Sequence, residues 1–213
     1  MNNGRFIVLE GGEGAGKTTQ LGAIAAWLRA RGREVLVTRE PGGSRLAEAI
    51  RDLVLGHWEE GVDSKTELLL IFAARAAHIQ ATIRPALQRG VDVVCDRFID
   101  SSHAYQGGGR GVPMPAIDWL SEFVVGTALP DLVLLLDLPP ETGAARTGRR
   151  TGNNRFDTEN LTFQQRVRTA YLQRRAAAPQ RYVLIDASQP AASVTAAIDA
   201  ALRTHLGERG DGR

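Results

Sequence analysis

The stretch Phe6-Ile7-Val8-Leu9-Glu10-Gly11-Gly12-Glu13-Gly14-Ala15-Gly16-Lys17-Thr18-Thr19 decides how this chain reads. Residues Gly11 to Thr18 fit G-x-x-x-x-G-K-[ST]; an apolar run ends just before them, and a helix-like stretch, Gln20 to Arg31, comes next. Strand, glycine loop and helix in that order form a phosphate cradle. The glycines let backbone N–H groups turn inward around an anion, and the helix N-terminus adds the positive end of its dipole. Lys17 can then reach the β- and γ-phosphates of a nucleoside triphosphate, and the Thr18 hydroxyl can ligate Mg²⁺. A turn that only joined a strand to a helix would not need the lysine. Of 26 Lys plus Arg, only Lys17 and Lys65 are lysine. A lysine kept in the loop suits a site that wants a compact point charge on a flexible stem.

Working outward, strand-like runs recur at Phe6–Glu10, Glu34–Thr38, Val91–Asp96, Leu132–Asp137 and Arg181–Asp186. Helix-like stretches fill the gaps: Thr18–Arg31, Ser44–Leu55, Ser64–Gln88, Pro115–Val125, Pro140–Arg146, Leu161–Ala177 and Ala191–Leu206. The third and fourth runs are nearly continuous in apolar residues, as parallel strands covered on both faces require. The alternation predicts a doubly wound, five-stranded parallel α/β sheet with right-handed crossovers. Such sheets bind ligands at the carboxyl ends of their strands, so Glu10, Arg39, Asp96, Arg97 and Asp137 become the residues to examine.

Length and composition narrow the function. At 213 residues the chain reads as one domain, 1–213, ending in a frayed tail at 207–213. Net charge is only +2, which does not make a nucleic-acid face. One cysteine, Cys95, excludes an intramolecular disulfide framework and a cysteine-built metal site. No apolar stretch nears the length of a membrane span, and no signal-peptide core opens the chain, so the expectation is a cytoplasmic protein with no membrane partner.

Several constellations add chemistry. Thr38-Arg39-Glu40-Pro41-Gly42-Gly43 turns tightly at the ligand edge and places Arg39 to clamp a phosphate, although alone it also fits an ordinary surface turn. Asp96-Arg97 closes an apolar strand, with Asp96 placed to hold Mg²⁺ and Arg97 to face a second phosphate. Phe72 and Arg75 share a helix face, where a ring and a guanidinium can stack on a base and bond its edge; Phe72 alone also fits core packing. In Ser102-His103-Ala104-Tyr105-Gln106-Gly107-Gly108-Gly109-Arg110-Gly111, Ser102, Tyr105 and Gln106 offer stacking and hydrogen bonds to a base. The glycine run there suggests a tight approach to ligand. The polar run from Gly148 to Asp157 carries Arg149, Arg150 and Arg155 and reads either as a cationic lid at about 147–157 or as a solvated loop.

Taken together, L-E-G-G-E-G-A-G-K-T-T, T-R-E-P-G-G, F-A-A-R, D-R-F, A-Y-Q-G-G-G-R-G and D-A-S-Q-P occur in the order found in bacterial thymidylate kinases. The chain resembles that family over nearly its whole length. The resemblance implies a P-loop nucleoside monophosphate kinase architecture and transfer of the γ-phosphate of Mg·ATP to dTMP. By the same resemblance ATP lies on Gly11, Gly12, Glu13, Gly14, Ala15, Gly16, Lys17, Thr18 and Thr19. Glu13 sits near the 3′-hydroxyl, and Arg39 and Arg97 near the acceptor phosphate. Phe72 stacks on thymine; Arg75, Ser102 and Gln106 read its edge; Tyr105 packs on the sugar; Asp96 and Thr18 serve Mg²⁺. Glu40–Pro41 is a candidate cis bond. The resemblance implies a homodimer too. One branch of the family carries its catalytic arginine in the phosphate loop, the other in the lid. Gly14 stands at the loop position here, so the chain resembles the lid-arginine type, with Lys17, Arg97, Arg149, Arg150 and Arg155 as catalytic candidates. Two choices stay open: which lid arginine is catalytic, and whether Ile71 or Phe72 covers the base.

Rival readings are fewer. A kinase of another monophosphate, such as AMP or dCMP, would share fold and loop. A nucleotide-hydrolysing switch protein would carry N-K-x-D and D-x-x-G motifs, and neither is present. A nucleic-acid-binding ATPase would need a basic face.

Overall fold

The computed structural model describes residues 4–147, 156 and 159–206. Five parallel strands form one sheet: β1 (Phe6–Gly11), β2 (Val35–Arg39), β3 (Asp92–Asp96), β4 (Leu132–Asp137) and β5 (Tyr182–Asp186), in the order β2-β3-β1-β4-β5. This is the doubly wound sheet expected from the alternation. β1 lies at the centre and is buried along its whole length. Its side chains alternate between two layers, as the pleat dictates. Ile7 and Leu9 pack with Ile24, Leu28, Ile198 and Leu202 on one side. Phe6 and Val8 pack with Ile79, Ile83 and Phe98 on the other.

Register brings the polar ends of the strands to one edge. Leu9 pairs with Asp96, Arg39 pairs with Asp96 across the next ladder, and Gly11 pairs with Leu136. Helix α1 (Lys17–Arg29) leaves this edge from the glycine loop, and α2 (Arg45–Leu55) leaves it beyond β2 with Ser44 Oγ capping the Ala47 N–H. Helix α3 (Ser64–His78) starts under an Asp63 cap.

The single helix expected over Ser64–Gln88 is instead three pieces. α3 gives way to a π-helical turn at Ile79–Ile83, followed by α4 (Arg84–Gln88). The cause is Pro85, which has no N–H to donate and crowds the carbonyl one turn back, so the helix widens just ahead of it. The glycine-rich segment is also helical rather than a loop: α5 (Ile99–Ser102) runs into a π-helix at His103–Gly109. The remaining helices are α6 (Met114–Val125), α7 (Pro140–Thr147), α8 (Leu161–Ala177) and α9 (Ala191–Leu206).

The three glycines make this helix fit its neighbours. A Cβ on Gly107 would lie 2.7 Å from the Met114 methyl, on Gly108 2.7 Å from the Ala170 Cβ, and on Gly109 2.5 Å from the Phe163 ring. Their small size lets α8 and α6 close over the segment. The close approach expected there is therefore to protein, not to ligand.

Candidate functional site

At the carboxyl edge of the sheet lies a cavity of about 460 Å³. Its lining joins the glycine loop (Glu13, Gly14, Ala15, Gly16, Lys17, Thr18, Thr19) to Arg39, Ile71, Arg75, Asp96, Arg97, Ser102, Tyr105 and Gln106. Gly12 lines an adjoining cavity of about 190 Å³, and Gly11 forms the end of β1 beneath the loop.

The loop has the backbone its glycines permit. Gly14 and Gly16 lie at φ 74° and 84°, a region costly for any side chain, and Gly16 opens α1. The loop curls so tightly that Lys17 Nζ donates to the Gly11 and Gly12 carbonyls, each at 3.1 Å. Burial pulls this ammonium down to about 8, and the nearby charge of Arg97 adds to the effect. α7 lies hard against the loop: a Cβ on Gly14 would meet the Gly143 carbonyl oxygen at 2.6 Å. A side chain at position 14 would therefore require α7 or the loop to shift.

Arg97 is the hub. It alone among the described non-glycine residues has positive φ, at 69°. Its guanidinium donates to Glu13 at 2.7 Å, the Tyr105 hydroxyl at 2.9 Å, the Gly11 carbonyl at 3.0 Å, the Tyr171 hydroxyl at 3.1 Å and Ser101 Oγ at 3.3 Å. Burial pushes the Glu13 carboxyl up, yet Arg97 and Lys17 outweigh it and hold it below the usual carboxylate range. Beneath them Glu10 accepts from the Phe98 N–H, the Ser101 N–H and hydroxyl, and the Tyr171 hydroxyl. Burial, with the charge of Asp100, raises the Glu10 carboxyl to about 7. Its bonds to Phe98 and Ser101 pin the backbone just beyond the strained turn at Arg97.

Arg39 pairs with Glu48 at 2.8 Å on the outer wall. Beside it stands Arg51, whose Nη1 donates to the Pro41 carbonyl at 2.7 Å. Burial and then the charge of Arg39 lower the Arg51 guanidinium below its ordinary value. No motif singles out Arg51. The available signal is spacing: it comes three residues after Glu48 on a helix that begins at the Arg39 turn, so both face back toward it. Arg146 also lines the cavity, donating to the Ala187 and Ser188 carbonyls beyond β5 and so placing the D-A-S-Q-P turn at its rim. Tyr171 reaches the centre from α8, and nothing in local sequence marks it.

The lining also carries Val54, Leu55 and Ile71. Arg75 is buried there, donating to Glu40 at 2.7 Å and to Ser102 Oγ and the Phe98 carbonyl at 2.9 Å each. The Glu40–Pro41 bond is cis. Ile71 lines the cavity, whereas Phe72 does not. Phe72 packs with Leu68, Val112 and Ile117 and lies under the Arg75 guanidinium at 4.7 Å. The helix turns Ile71 toward the space and Phe72 into the core, so of the two residues left open by the sequence it is Ile71 that lines the cavity. Arg149, Arg150 and Arg155, like the tail at 207–213, lie outside the described residues.

Comparison with known proteins identifies the family. The family model for thymidylate kinase matches residues 9–198. A thymidylate kinase of Pseudomonas fluorescens is 55% identical over 199 residues, covering 93% of this chain and 95% of the relative. That of Pseudomonas entomophila is 54% identical over 200 residues, covering 94% and 95%. The crystal structure of thymidylate kinase from Ehrlichia chaffeensis matches with a TM-score of 0.75 at 32% identity, over 93% of this chain and 99% of that one. With the family model spanning most of its length and relatives more than half identical, the chain belongs to the thymidylate kinase family.

Proposed function

We infer that the chain is a thymidylate kinase, transferring the γ-phosphate of ATP to dTMP to give dTDP and ADP. One observation carries the site assignment: a single cavity is lined by the phosphate loop, by the buried Arg75, Ser102 and Gln106, and by Arg39, Arg51 and Arg97. Two substrates can thus meet end to end. Phosphoryl transfer needs in-line positioning and neutralisation of developing charge more than covalent help. In this reading Lys17 neutralises the donor phosphates from the loop. Arg39, Arg51 and Arg97 orient the acceptor phosphate, Glu13 and Tyr105 hold the sugar, and Arg75, Ser102 and Gln106 read the base under Ile71. Arg149, Arg150 or Arg155 supplies the lid cation from about 147–157 of a single kinase domain.

Asp96 Oδ1 is buried with no hydrogen-bond partner, and it shares the cavity with Thr18. An orphaned carboxylate oxygen in a cavity that also carries a hydroxyl suits a hard cation that takes its other ligands from water and phosphate. Asp96 and Thr18 would hold Mg²⁺ here. Bound there, it would screen the β- and γ-phosphate charge.

We propose a homodimer as well. Leu68 and Phe72 pack inside the monomer, but Leu69 on α3 and the stacked rings of Trp119 and Phe123 on α6 are exposed at 58%, 62% and 75%. No described helix is long and apolar enough to cross a membrane, and a cytoplasmic location is proposed with the activity.

ADP production from Mg·ATP with dTMP, dUMP, AMP, CMP, UMP or no acceptor tests the reading. Turnover is expected to be fastest with dTMP and negligible without acceptor. Preference for another monophosphate would overturn the base-reading roles, and acceptor-independent turnover would point to a switch-type hydrolase.

A further inference from the structure

Gln106 lines the cavity, and its amide has two possible faces. An amide can offer a ligand its carbonyl oxygen or its N–H₂, and the two select opposite partners. Here the choice is made from behind. Gln106 Nε2 donates at 2.7 Å to Oε1 of Glu67, a residue with 0% exposure on the first turn of α3. Arg110 Nε donates to Oε2 of the same carboxylate at 3.2 Å and also pairs with Glu159. A carboxylate accepts and does not donate, so only the Gln106 nitrogen can face it. The amide oxygen must then face the cavity.

We propose that Glu67 is a specificity-setting positioning residue: it locks Gln106 with its carbonyl toward the base, so the site selects a pyrimidine that carries hydrogen on N3. This rests on the reading of dTMP as the acceptor. Arg75, with donors only, stands in the same pocket. Donor from Arg75 beside acceptor from Gln106 matches the O4 and N3–H of thymine. A 4-aminopyrimidine presents the reverse, an amino group toward a guanidinium and a lone pair toward a carbonyl. Both mismatches would be buried, where an unmade hydrogen bond costs most. Glu67 itself does not line the cavity, so no motif that touches ligand would reveal it.

The test compares kcat/KM for dTMP and dCMP in the full-length wild type, Glu67→Gln and Glu67→Asp. Glutamine at position 67 can donate, which frees the Gln106 amide to flip. The dTMP-over-dCMP ratio should then fall at least ~10-fold, through a higher KM for dTMP and new turnover of dCMP, the scale of one mispaired buried hydrogen bond. Aspartate still only accepts and should keep the ratio within about threefold of wild type, a fraction of that same hydrogen-bond scale. A wild type that uses dCMP as readily as dTMP removes the acceptor reading and this proposal together. A discriminating wild type with an equally discriminating Glu67→Gln overturns the proposal alone.

A second measurement stands if Glu67→Gln fails to fold. The Gln106 side-chain N–H₂ resonances, assigned by their loss in Gln106→Met, should exchange slowly with solvent in the ligand-free wild type. Exchange as fast as that of an exposed glutamine overturns the proposal.

Discussion

Lys17 Nζ lies 3.1 Å from the carbonyl oxygen of Gly11, the same oxygen that accepts from Arg97 at 3.0 Å. Without phosphate, the ammonium is held by carbonyl dipoles and shares its surroundings with a second cation. Burial therefore lowers it to about 8, with Arg97 adding to the shift. The folded value is depressed, so the native state favours the neutral amine; the stability this contributes appears as pH rises above about 8. A bound polyphosphate reverses the preference. At pH 8, ATP binding should take up roughly half a proton, and at pH 6 this contribution should vanish. Calorimetry in buffers of different ionisation enthalpy measures it, with Lys17→Met as the control. Equal heats in all buffers at pH 8 would dismiss the coupling.

Asp96 offers a separation of stability from activity. Its Oδ1 makes no internal hydrogen bond, so removing it breaks no hydrogen bond of the fold. Asp96→Ala is expected to lower kcat at least ~100-fold, as does loss of a single preorganised electrostatic contact elsewhere. Its Tm should stay close to wild type. A mutant with near-normal turnover would refute the metal-holding role, and one that unfolds would show that Asp96 is structural.

The contact between α7 and the phosphate loop predicts a third result. A Cβ on Gly143 would overlap the Glu13 carbonyl oxygen, which is backbone and cannot rotate away. Gly143→Ala must push helix and loop apart. Displacements near 1 Å cost about 100-fold in catalysis when they misplace reacting groups, so kcat should fall steeply and KM for ATP should rise. Base selection, set at the other end of the cavity, should survive. A variant with wild-type ATP kinetics would mean that α7 moves freely.

The legibility of fold and site in the sequence divides along physical lines. The strands are legible because parallel strands buried on both faces need long apolar runs, and Leu132–Asp137 shows this without ambiguity. Lys17, Thr18 and Asp96 are legible because their positions at or just past a strand end are fixed by local backbone geometry, not by distant contacts. Ile71 and Phe72 are not separable, since they are adjacent apolar residues and the choice depends on helix rotation within the fold. Tyr171 and Glu67 act through contacts spanning 161 and 39 residues, which local pattern does not encode. The glycine run Gly107-Gly108-Gly109 misleads for a related reason: glycine signals close approach but does not say to what.

That last ambiguity yields a paired prediction. A Cβ on Gly108 would meet the Ala170 Cβ at 2.7 Å and the Arg166 carbonyl at 2.9 Å, and neither can swing aside. Gly108→Ala should destabilise by about 1–3 kcal/mol, the range for overpacking a tight core. Gly22, inside α1, has nothing within 4 Å of its Cβ position. Gly22→Ala should stabilise by about 0.5–1 kcal/mol from helix propensity. Urea titrations of both variants decide the matter, and a Gly108→Ala variant as stable as the wild type would contradict the assignment of Gly108 to packing.

Arg51 is the cation that local sequence hides, and its role can be isolated. It lines the cavity together with Arg39, and burial, then the charge of Arg39, lowers its guanidinium. An acceptor phosphate placed there would relieve that repulsion and gain charge-assisted hydrogen bonds. Arg51→Ala should therefore raise KM for dTMP at least ~10-fold, the loss expected from one such bond to a charged group. KM for ATP should change little, because the glycine loop and Lys17 hold the donor. Arg51→Lys keeps the charge but not the planar fork, and should recover only part of the affinity. If Arg51→Ala instead raises KM for ATP and leaves dTMP untouched, the donor and acceptor ends of the cavity have been assigned the wrong way round.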